Sequence, residues 1–208
     1  MAKHEGNGKM KNTKEYYDKT AKEMADKWYD DEYLMPYLKE YMQYLPEHPR
    51  VVDLCCGCGY DSMRLASLGA TVVGIDFSPE CIKIAKDRNP NITFYEDNIL
   101  NDYSYAGKFD GCICIRGLVH IRDDELPTVF ENLHKVLNPN SYIFIAVKDG
   151  TGKNILSSFF VIDDEEYDND FYNHTLDELI KYSAPYFTFT KEIVQEDSIW
   201  KYYIMKRK

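Results

Sequence analysis

The fold class of this chain is indicated most clearly by one stretch, Val51-Val-Asp-Leu-Cys-Cys-Gly-Cys-Gly-Tyr60. Its first four residues are typical of a buried strand, and the glycines that follow allow a tight turn into a helix. Glycine also lets a ligand approach the backbone closely, and the free N–H groups at the start of a helix attract anionic groups. The stretch therefore predicts a strand–turn–helix unit of the kind that binds nucleotides.

Short apolar segments alternate with helix patterns on both sides of this unit. Seven segments are predicted as strands: residues 51–54, 71–75, 92–95, 109–115, 142–147, 186–194 and 198–205. Strands that alternate with helices indicate parallel crossovers, with helices on both faces of the sheet. The short connection between the last two segments favours an antiparallel hairpin. We therefore expect an α/β fold with a mostly parallel sheet.

Composition and charge exclude several classes of protein. The chain has 208 residues and a formal net charge of −10, which disfavours binding to nucleic acid or to an anionic membrane surface. The longest apolar run, Tyr142–Val147, is far too short to span a bilayer. The six cysteines cluster inside apolar segments, which indicates reduced thiols and a cytoplasmic location. Residues 1–14 are polar and predict a flexible tail, not a secretory signal.

Charged side chains follow the other predicted strands. Asp76 ends the second strand, 19 residues after Gly57, where a carboxylate can accept hydrogen bonds from both hydroxyls of a ribose. Asp97 comes directly after the third strand, and Arg116 follows the fourth. Ligands of open α/β sheets bind at the carboxyl ends of the strands, so we expect these residues to face a common cleft.

These motifs resemble the class I S-adenosylmethionine-dependent methyltransferases, in particular the small UbiE-like (methyltransferase type 11) branch. The first motif of that family looks like Val-Leu-Asp-Leu-Gly-Cys-Gly-x-Gly, and the resemblance covers residues 16–208. It implies a Rossmann-like, doubly wound seven-stranded sheet that ends in an antiparallel hairpin, with an N-terminal helical lid. One methyltransferase domain would then span residues 15–208, with the lid at residues 15–46 and an insertion at residues 155–174.

The resemblance also implies a cofactor, S-adenosyl-L-methionine, and its product, S-adenosyl-L-homocysteine. The residues that it places around the methionine part are Asp53, Gly57 and Gly59, the backbone of Cys55 and Cys56, the backbone near Arg116, and Tyr17 from the lid. The residues that it places around the adenosine part are Asp76 at the ribose, Phe77 and Ile99 at the ring, and Asp97 at the adenine amino group, with Ser78 and Asn98 beside them.

Two positions depart from the family pattern. Cys55 stands where the family has its first glycine, and a left-handed backbone there would cost roughly 1 kcal/mol. Asn138-Pro-Asn140-Ser141 replaces a Lys-Pro-Gly-Gly turn, and Asn tolerates the left-handed conformation that glycine would supply. Neither departure removes a carboxylate, so cofactor binding is still expected.

The predicted chemistry is methyl transfer to a small molecule. His120 follows the fourth strand near the expected methyl position, so it is our candidate general base; its alternative role is a structural hydrogen bond at a helix start. The Asn/Asp-Pro-Pro-Tyr signature of many nucleic-acid amino methyltransferases is absent after the fourth strand. We therefore expect a small-molecule acceptor, no nucleic-acid or membrane partner, and a monomer or homodimer.

Other functions fit the sequence less well. A dinucleotide dehydrogenase would place a third glycine where Ser62 stands. The cysteines at 55, 56, 58, 112 and 114 match no tetrahedral zinc pattern well, so we expect no metal. The acidic run at Asp163–Asp170 is expected to be a solvated loop, or alternatively to face a cationic substrate. An inactive, cofactor-binding scaffold for a partner protein stays open as the second hypothesis.

Overall fold

A seven-stranded sheet forms the centre of the protein in a computed structural model that describes residues 13–162, 165–194 and 198–208. Its strands are β1 (Arg50–Leu54), β2 (Thr71–Asp76), β3 (Thr93–Glu96), β4 (Phe109–Ile115), β5 (Leu137–Lys148), β8 (Phe187–Ile193) and β9 (Trp200–Arg207). They lie in the order β3-β2-β1-β4-β5-β9-β8. The helices are α1 (Thr13–Trp28), α2 (Met35–Met42), α3 (Tyr60–Ser67), α4 (Pro79–Arg88), α5 (Leu126–Val136) and α6 (Leu176–Ser183).

The sheet is parallel from β3 to β5, and β9 runs antiparallel between β5 and β8. This arrangement confirms the expected fold class and the C-terminal hairpin. Strand β1 pairs with β2 on one side and with β4 on the other, as Val52 does with Val73 and with Cys112. The direction in which the chain adds strands reverses there, and ligands of open α/β sheets bind at such a switch point.

Alternating side chains of the strands build one core on each face of the sheet. Val51 contributes to the core under α2 and α3, whereas Val52 contributes to the core under α5 and α6. Because the central strands are buried on both faces, they consist of continuous apolar runs. These runs are the pattern from which the strands were predicted.

Helix α2 packs directly on the sheet. Its residues Leu38 and Tyr41 are fully buried, and the Tyr41 hydroxyl lies 3.0 Å from the carbonyl oxygen of Cys112 and 2.8 Å from that of Tyr142. These two residues lie on β4 and β5, so one side chain ties the helix to both strands. Within residues 15–46, predicted as a lid, α2 is thus part of the core.

The segment between β5 and α6 forms a separate two-stranded antiparallel sheet of β6 (Gly152–Ile162) and β7 (Glu165–Asn173). The acidic run at 163–170 was expected to be a solvated loop; this is wrong for residues 165–170, which lie in β7. The apolar segment before the run supplies a partner strand, and the pairing of Ile162 with Glu165 and of Ile155 with Asp170 satisfies the backbone. Residues 163 and 164 lie outside the described residues.

Helix α1 begins slightly earlier in the sequence than predicted. Of the tail expected at residues 1–14, residues 1–12 lie outside the described residues, and Thr13 and Lys14 belong to α1. Lys14 Nζ lies 2.7 Å from the Asp18 carboxylate, one helical turn away. No helix in the described part of the chain has the length and apolar character needed to cross a bilayer.

Candidate functional site

A cavity of about 600 Å³ opens at the carboxyl ends of β1, β2 and β4, at the switch point of the sheet. Helix α1 and strand β7 also contribute to its wall, through Tyr17 and Phe171. Most residues that were predicted for the site line this cavity: Tyr17, Cys55, Gly57, Asp76, Phe77, Asp97, Asn98, Ile99, Arg116 and His120.

The turn after β1 has left-handed backbone at three positions. Cys55, Gly57 and Gly59 have φ values of 58°, 53° and 82°. A Cβ at Gly59 would lie 2.9 Å from the Phe94 ring and 3.0 Å from Ala85, so only glycine fits. Cys55 adopts this conformation although it has a side chain. The backbone strain of roughly 1 kcal/mol that was expected for a left-handed Cys55 therefore applies. The turn therefore keeps its shape although the first family glycine is replaced.

Asp76 lies at the centre of the cavity wall, at the end of β2. One carboxylate oxygen accepts the Gly57 N–H at 2.9 Å, and the other accepts the Ser78 N–H at 2.9 Å. Burial raises the pKa of Asp76 to about 6, while these two N–H groups act in the opposite direction. The carboxylate thus fixes the glycine turn and the start of α4, and each oxygen keeps a free lone pair for a ligand.

The loop after β3 forms the next part of the wall. Asp97 accepts hydrogen bonds from the Asn98 N–H, the Asn101 amide and the Tyr105 hydroxyl, each at 2.7 Å. Ile99 adds an apolar side chain to the same wall. The loop therefore presents a fixed carboxylate beside an apolar surface, a combination suited to a heteroaromatic ring with an amino group.

Four of the predicted residues lie behind the wall. Asp53 is 2% exposed and accepts a hydrogen bond from the Ser62 hydroxyl at 2.6 Å, and burial raises its pKa well above the usual range. Cys56 and Gly59 shape the turn from below, and Ser78 caps α4 by accepting the Cys81 N–H. These four residues support the cavity without lining it.

Tyr17 and His120 meet at the cavity from distant parts of the chain. The Tyr17 hydroxyl lies 2.7 Å from His120 Nε2. Burial raises the pKa of Tyr17 well above its usual value, so the hydroxyl stays protonated. The His120 ring also packs against Phe171 of β7, with ring centroids 5.1 Å apart. Helix α1, the segment that follows β4 and the β6–β7 hairpin are thereby joined at one point.

Helix α1 rests on the glycine turn. Ala21 and Ala25 are buried in this contact, and the Cys58 thiol donates to the Ala21 carbonyl at 3.2 Å. The Ser78 hydroxyl donates to the Asp18 carboxylate at 2.6 Å, which links α1 to the start of α4. Small residues let the helix approach the turn closely, so α1 closes one side of the cavity.

Several residues that line the cavity were missed by the sequence analysis: Trp28, Tyr60, Asp61, Arg64, Phe171 and Trp200. Asp61 and Arg64 form a buried ion pair of 2.7 Å on α3, and Arg64 also donates to the carbonyls of Trp28 and Asp31. Opposite charges three residues apart, shortly after Gly59, are a sequence signal from which this pair could have been predicted. The two tryptophans and Phe171 gave no comparable signal.

All six cysteines are free thiols. Cys55 and Cys114 approach each other beside Gly117, where an added Cβ would lie 2.8 Å from both sulfur atoms. Within residues 13–162, 165–194 and 198–208, no group of three His, Cys, Asp or Glu side chains has the geometry to hold a metal ion.

Known proteins resemble this chain in both sequence and fold. Residues 51–140 match the family model described as a methyltransferase domain. An uncharacterized methyltransferase of Synechocystis sp. is 36% identical over 91 residues, 43% of this chain and 42% of that protein. A ubiquinone biosynthesis O-methyltransferase of Xanthomonas axonopodis pv. citri is 29% identical over 148 residues, 62% of this chain and 59% of that protein.

A solved structure extends the similarity to nearly the whole chain. Magnesium protoporphyrin IX methyltransferase from Synechocystis, solved with bound S-adenosylmethionine, superposes with a TM-score of 0.67 at 17% identity, covering 94% of this chain and 95% of that one. This likeness shows the fold. The chain spans about half the length of the two curated relatives named above.

Proposed function

We propose that the protein transfers a methyl group from S-adenosyl-L-methionine to a small-molecule acceptor and releases S-adenosyl-L-homocysteine, because residues 51–140 match the family model described as a methyltransferase domain. The observation that carries the proposal is that Asp76, Asp97 and the turn at Gly57 face one cavity at the switch point. The net charge of −10 supports a small-molecule acceptor over a nucleic acid.

The proposed cofactor fits the polar groups of the cavity. Asp76 would accept hydrogen bonds from the ribose hydroxyls, and Asp97 would accept one from the adenine amino group, with Phe77 and Ile99 holding the ring. The turn at Cys55 and Gly57 would hold the methionine part, and the backbone of Arg116 would hold its ammonium. Asp53, Cys56, Gly59 and Ser78 hold these residues in place from behind.

Little chemistry is required of the protein itself. The bound cofactor supplies a methyl group that its sulfonium already activates, and transfer is an in-line displacement. The side chains of the cavity therefore act by aligning the acceptor with the methyl group and by excluding water. Helix α1 and Phe171 supply the exclusion, because both contribute to the cavity wall and both contact His120.

Tyr17 and His120 supply the proton chemistry when the acceptor arrives as a hydroxyl, thiol or ammonium. In this role Tyr17 donates its hydroxyl proton to His120 Nε2 as it takes the proton of the acceptor, so no charged phenolate accumulates. The 2.7 Å separation of the two groups supports this relay.

Release of S-adenosyl-L-homocysteine on incubation with a metabolite panel tests the proposal. Turnover on at least one acceptor supports it, and tight cofactor binding without any release would favour the inactive scaffold instead.

A reducing, cytoplasmic location is also proposed, because all six thiols are free and five are buried.

Replacement of Asp76 by Asn is expected to weaken S-adenosyl-L-homocysteine binding about 5- to 150-fold, equivalent to about 1–3 kcal/mol. Asn keeps the size of the side chain but loses the charge that strengthens the ribose hydrogen bonds. Titration calorimetry measures the effect. Asp102→Asn is the matched control, since that exposed carboxylate accepts the Ser104 N–H outside the cavity. Unchanged affinity in Asp76→Asn would refute the ribose assignment.

Cofactor affinity is expected to depend on the ionisation of Asp76. Burial and the neighbouring Asp18 raise its pKa to about 6, so the accepting carboxylate is present above pH 6 and is lost as the pH falls through that value. Between pH 7 and pH 5 the affinity for S-adenosyl-L-homocysteine should fall about tenfold. Calorimetry across this range tests the sign, and Asp76→Asn should give a flatter profile. An affinity that rises on acidification contradicts the assignment.

A further inference from the structure

Arg116 is held between the only two tryptophans of the chain. Its guanidinium carbon lies 4.8 Å from the ring centroid of Trp200 and 5.8 Å from that of Trp28. Both distances allow a cation–π attraction, and the Nε of the guanidinium is buried. The residue also has left-handed backbone, with a φ of 63°, which is uncommon for a residue with a side chain and concentrates at functional sites.

Arg116 has no salt-bridge partner, unlike the other cavity arginines. Within the part of the chain that the structure describes, it interacts with the Tyr202 hydroxyl and electrostatically with Asp61, but it forms no ion pair, and its Nε is buried without a hydrogen-bond partner. Arg64, by contrast, binds Asp61 and two backbone carbonyls, and Arg122 pairs with Asp124 and Glu125. A guanidinium has five N–H donors, so Arg116 retains hydrogen-bonding capacity at the wall of the cavity.

The position of Arg116 places it on the acceptor side of the site, if the proposed function is correct. The groups assigned to adenosine lie at the ends of β2 and β3, and the assigned methionine turn lies at β1. Arg116 follows β4, and its ring partner Trp200 begins β9, paired with Lys148 at the end of β5. The side chain therefore reaches along the sheet edge, away from the groups assigned to adenosine.

We propose that the methyl acceptor carries a carboxylate and that Arg116 binds it between Trp28 and Trp200. A guanidinium matches the two oxygens of a carboxylate with paired hydrogen bonds, and a site shielded from water strengthens them. A singly charged group fits better than a phosphate, because Arg116 is a single cation between the two rings and the Asp61 carboxylate, with which it interacts electrostatically, would repel a second negative charge. The proposal rests on the proposed function, because it names the acceptor side of the same cavity.

Tryptophan fluorescence gives a direct test, since both tryptophans contact Arg116. The protein, saturated with S-adenosyl-L-homocysteine, is titrated with benzoate and hexanoate and with their uncharged amides, benzamide and hexanamide. We expect each carboxylate to change the fluorescence and to bind at least tenfold more tightly than its amide. Arg116→Gln should remove this preference, Arg116→Lys should keep part of it, and Arg122→Gln, which removes a paired charge on the same cavity wall, should retain it.

The outcomes separate this inference from the proposed function. Carboxylates that leave the fluorescence unchanged, or that bind no better than their amides, would overturn it. So would a tenfold loss of S-adenosyl-L-homocysteine affinity in Arg116→Gln, because the side chain would then serve the cofactor. Failure of the wild-type protein to bind S-adenosyl-L-homocysteine in calorimetry would instead contradict the proposed function. If Arg116→Lys loses carboxylate binding, its thermal unfolding shows whether the loss comes from misfolding.

Discussion

Replacement of Tyr17 by Phe is expected to lower kcat about 10²-fold or more for an acceptor that must lose a proton. The change removes only the hydroxyl that lies 2.7 Å from His120 Nε2 and leaves the ring in place. General acid–base groups contribute about 10²–10⁴-fold to rates, and loss of the relay removes that contribution. Release of S-adenosyl-L-homocysteine, measured at saturating acceptor, gives the rate.

The partner residue makes this prediction more specific. His120→Ala should lower kcat by a similar factor, and the double variant should be little slower than either single variant, because the two groups act as one unit. Tyr44→Phe is the matched control, since that ring packs on Tyr142 and does not line the cavity. If the double variant lowered kcat by the product of the two single factors, the residues would act independently and the relay would be rejected.

Replacement of Tyr41 by Ala is expected to lower the free energy of unfolding by about 3–5 kcal/mol. The side chain is fully buried, stacks on Phe144 and shares its hydroxyl between two strand carbonyls. Its removal leaves a cavity between α2 and the sheet, and two buried carbonyls lose a donor. Urea unfolding followed by circular dichroism measures the change.

Two further variants separate packing from hydrogen bonding at this position. Tyr41→Phe keeps the ring and should cost about 1–3 kcal/mol, because only the donor is lost. Tyr95→Ala removes a tyrosine that is 36% exposed on β3 and should change stability by less than about 0.5 kcal/mol. If Tyr41→Ala were as mild as Tyr95→Ala, α2 would be a loosely attached lid and not part of the core.

The elements at the switch point could be predicted because their signals are local in the sequence. The apolar run before Cys55 and the glycines after it each act within a few residues, and the structure has the corresponding strand and turn. Asp76 could be placed as well, since the last residue of a parallel strand necessarily lies at the ligand edge of the sheet.

The rest of the site depends on contacts between distant residues, for which a single sequence carries no local signal. Trp28 and Trp200 are brought to Arg116 by α1 and β9, from opposite ends of the chain. Asp53 shows a second difficulty, because successive side chains of a strand point to opposite faces. Its position in the motif was clear, but its contact with Ser62 behind the wall emerges only when α3 packs on β1.

The β6–β7 hairpin has a consequence for how such a protein can diverge. It forms its own two-stranded sheet outside the ladder of the central one, yet its Phe171 reaches His120. Substitutions in the hairpin can therefore reshape one wall of the reaction chamber while every strand pairing beneath the glycine turn stays intact. In this architecture, evolution can change the selectivity for acceptors by changing the hairpin alone.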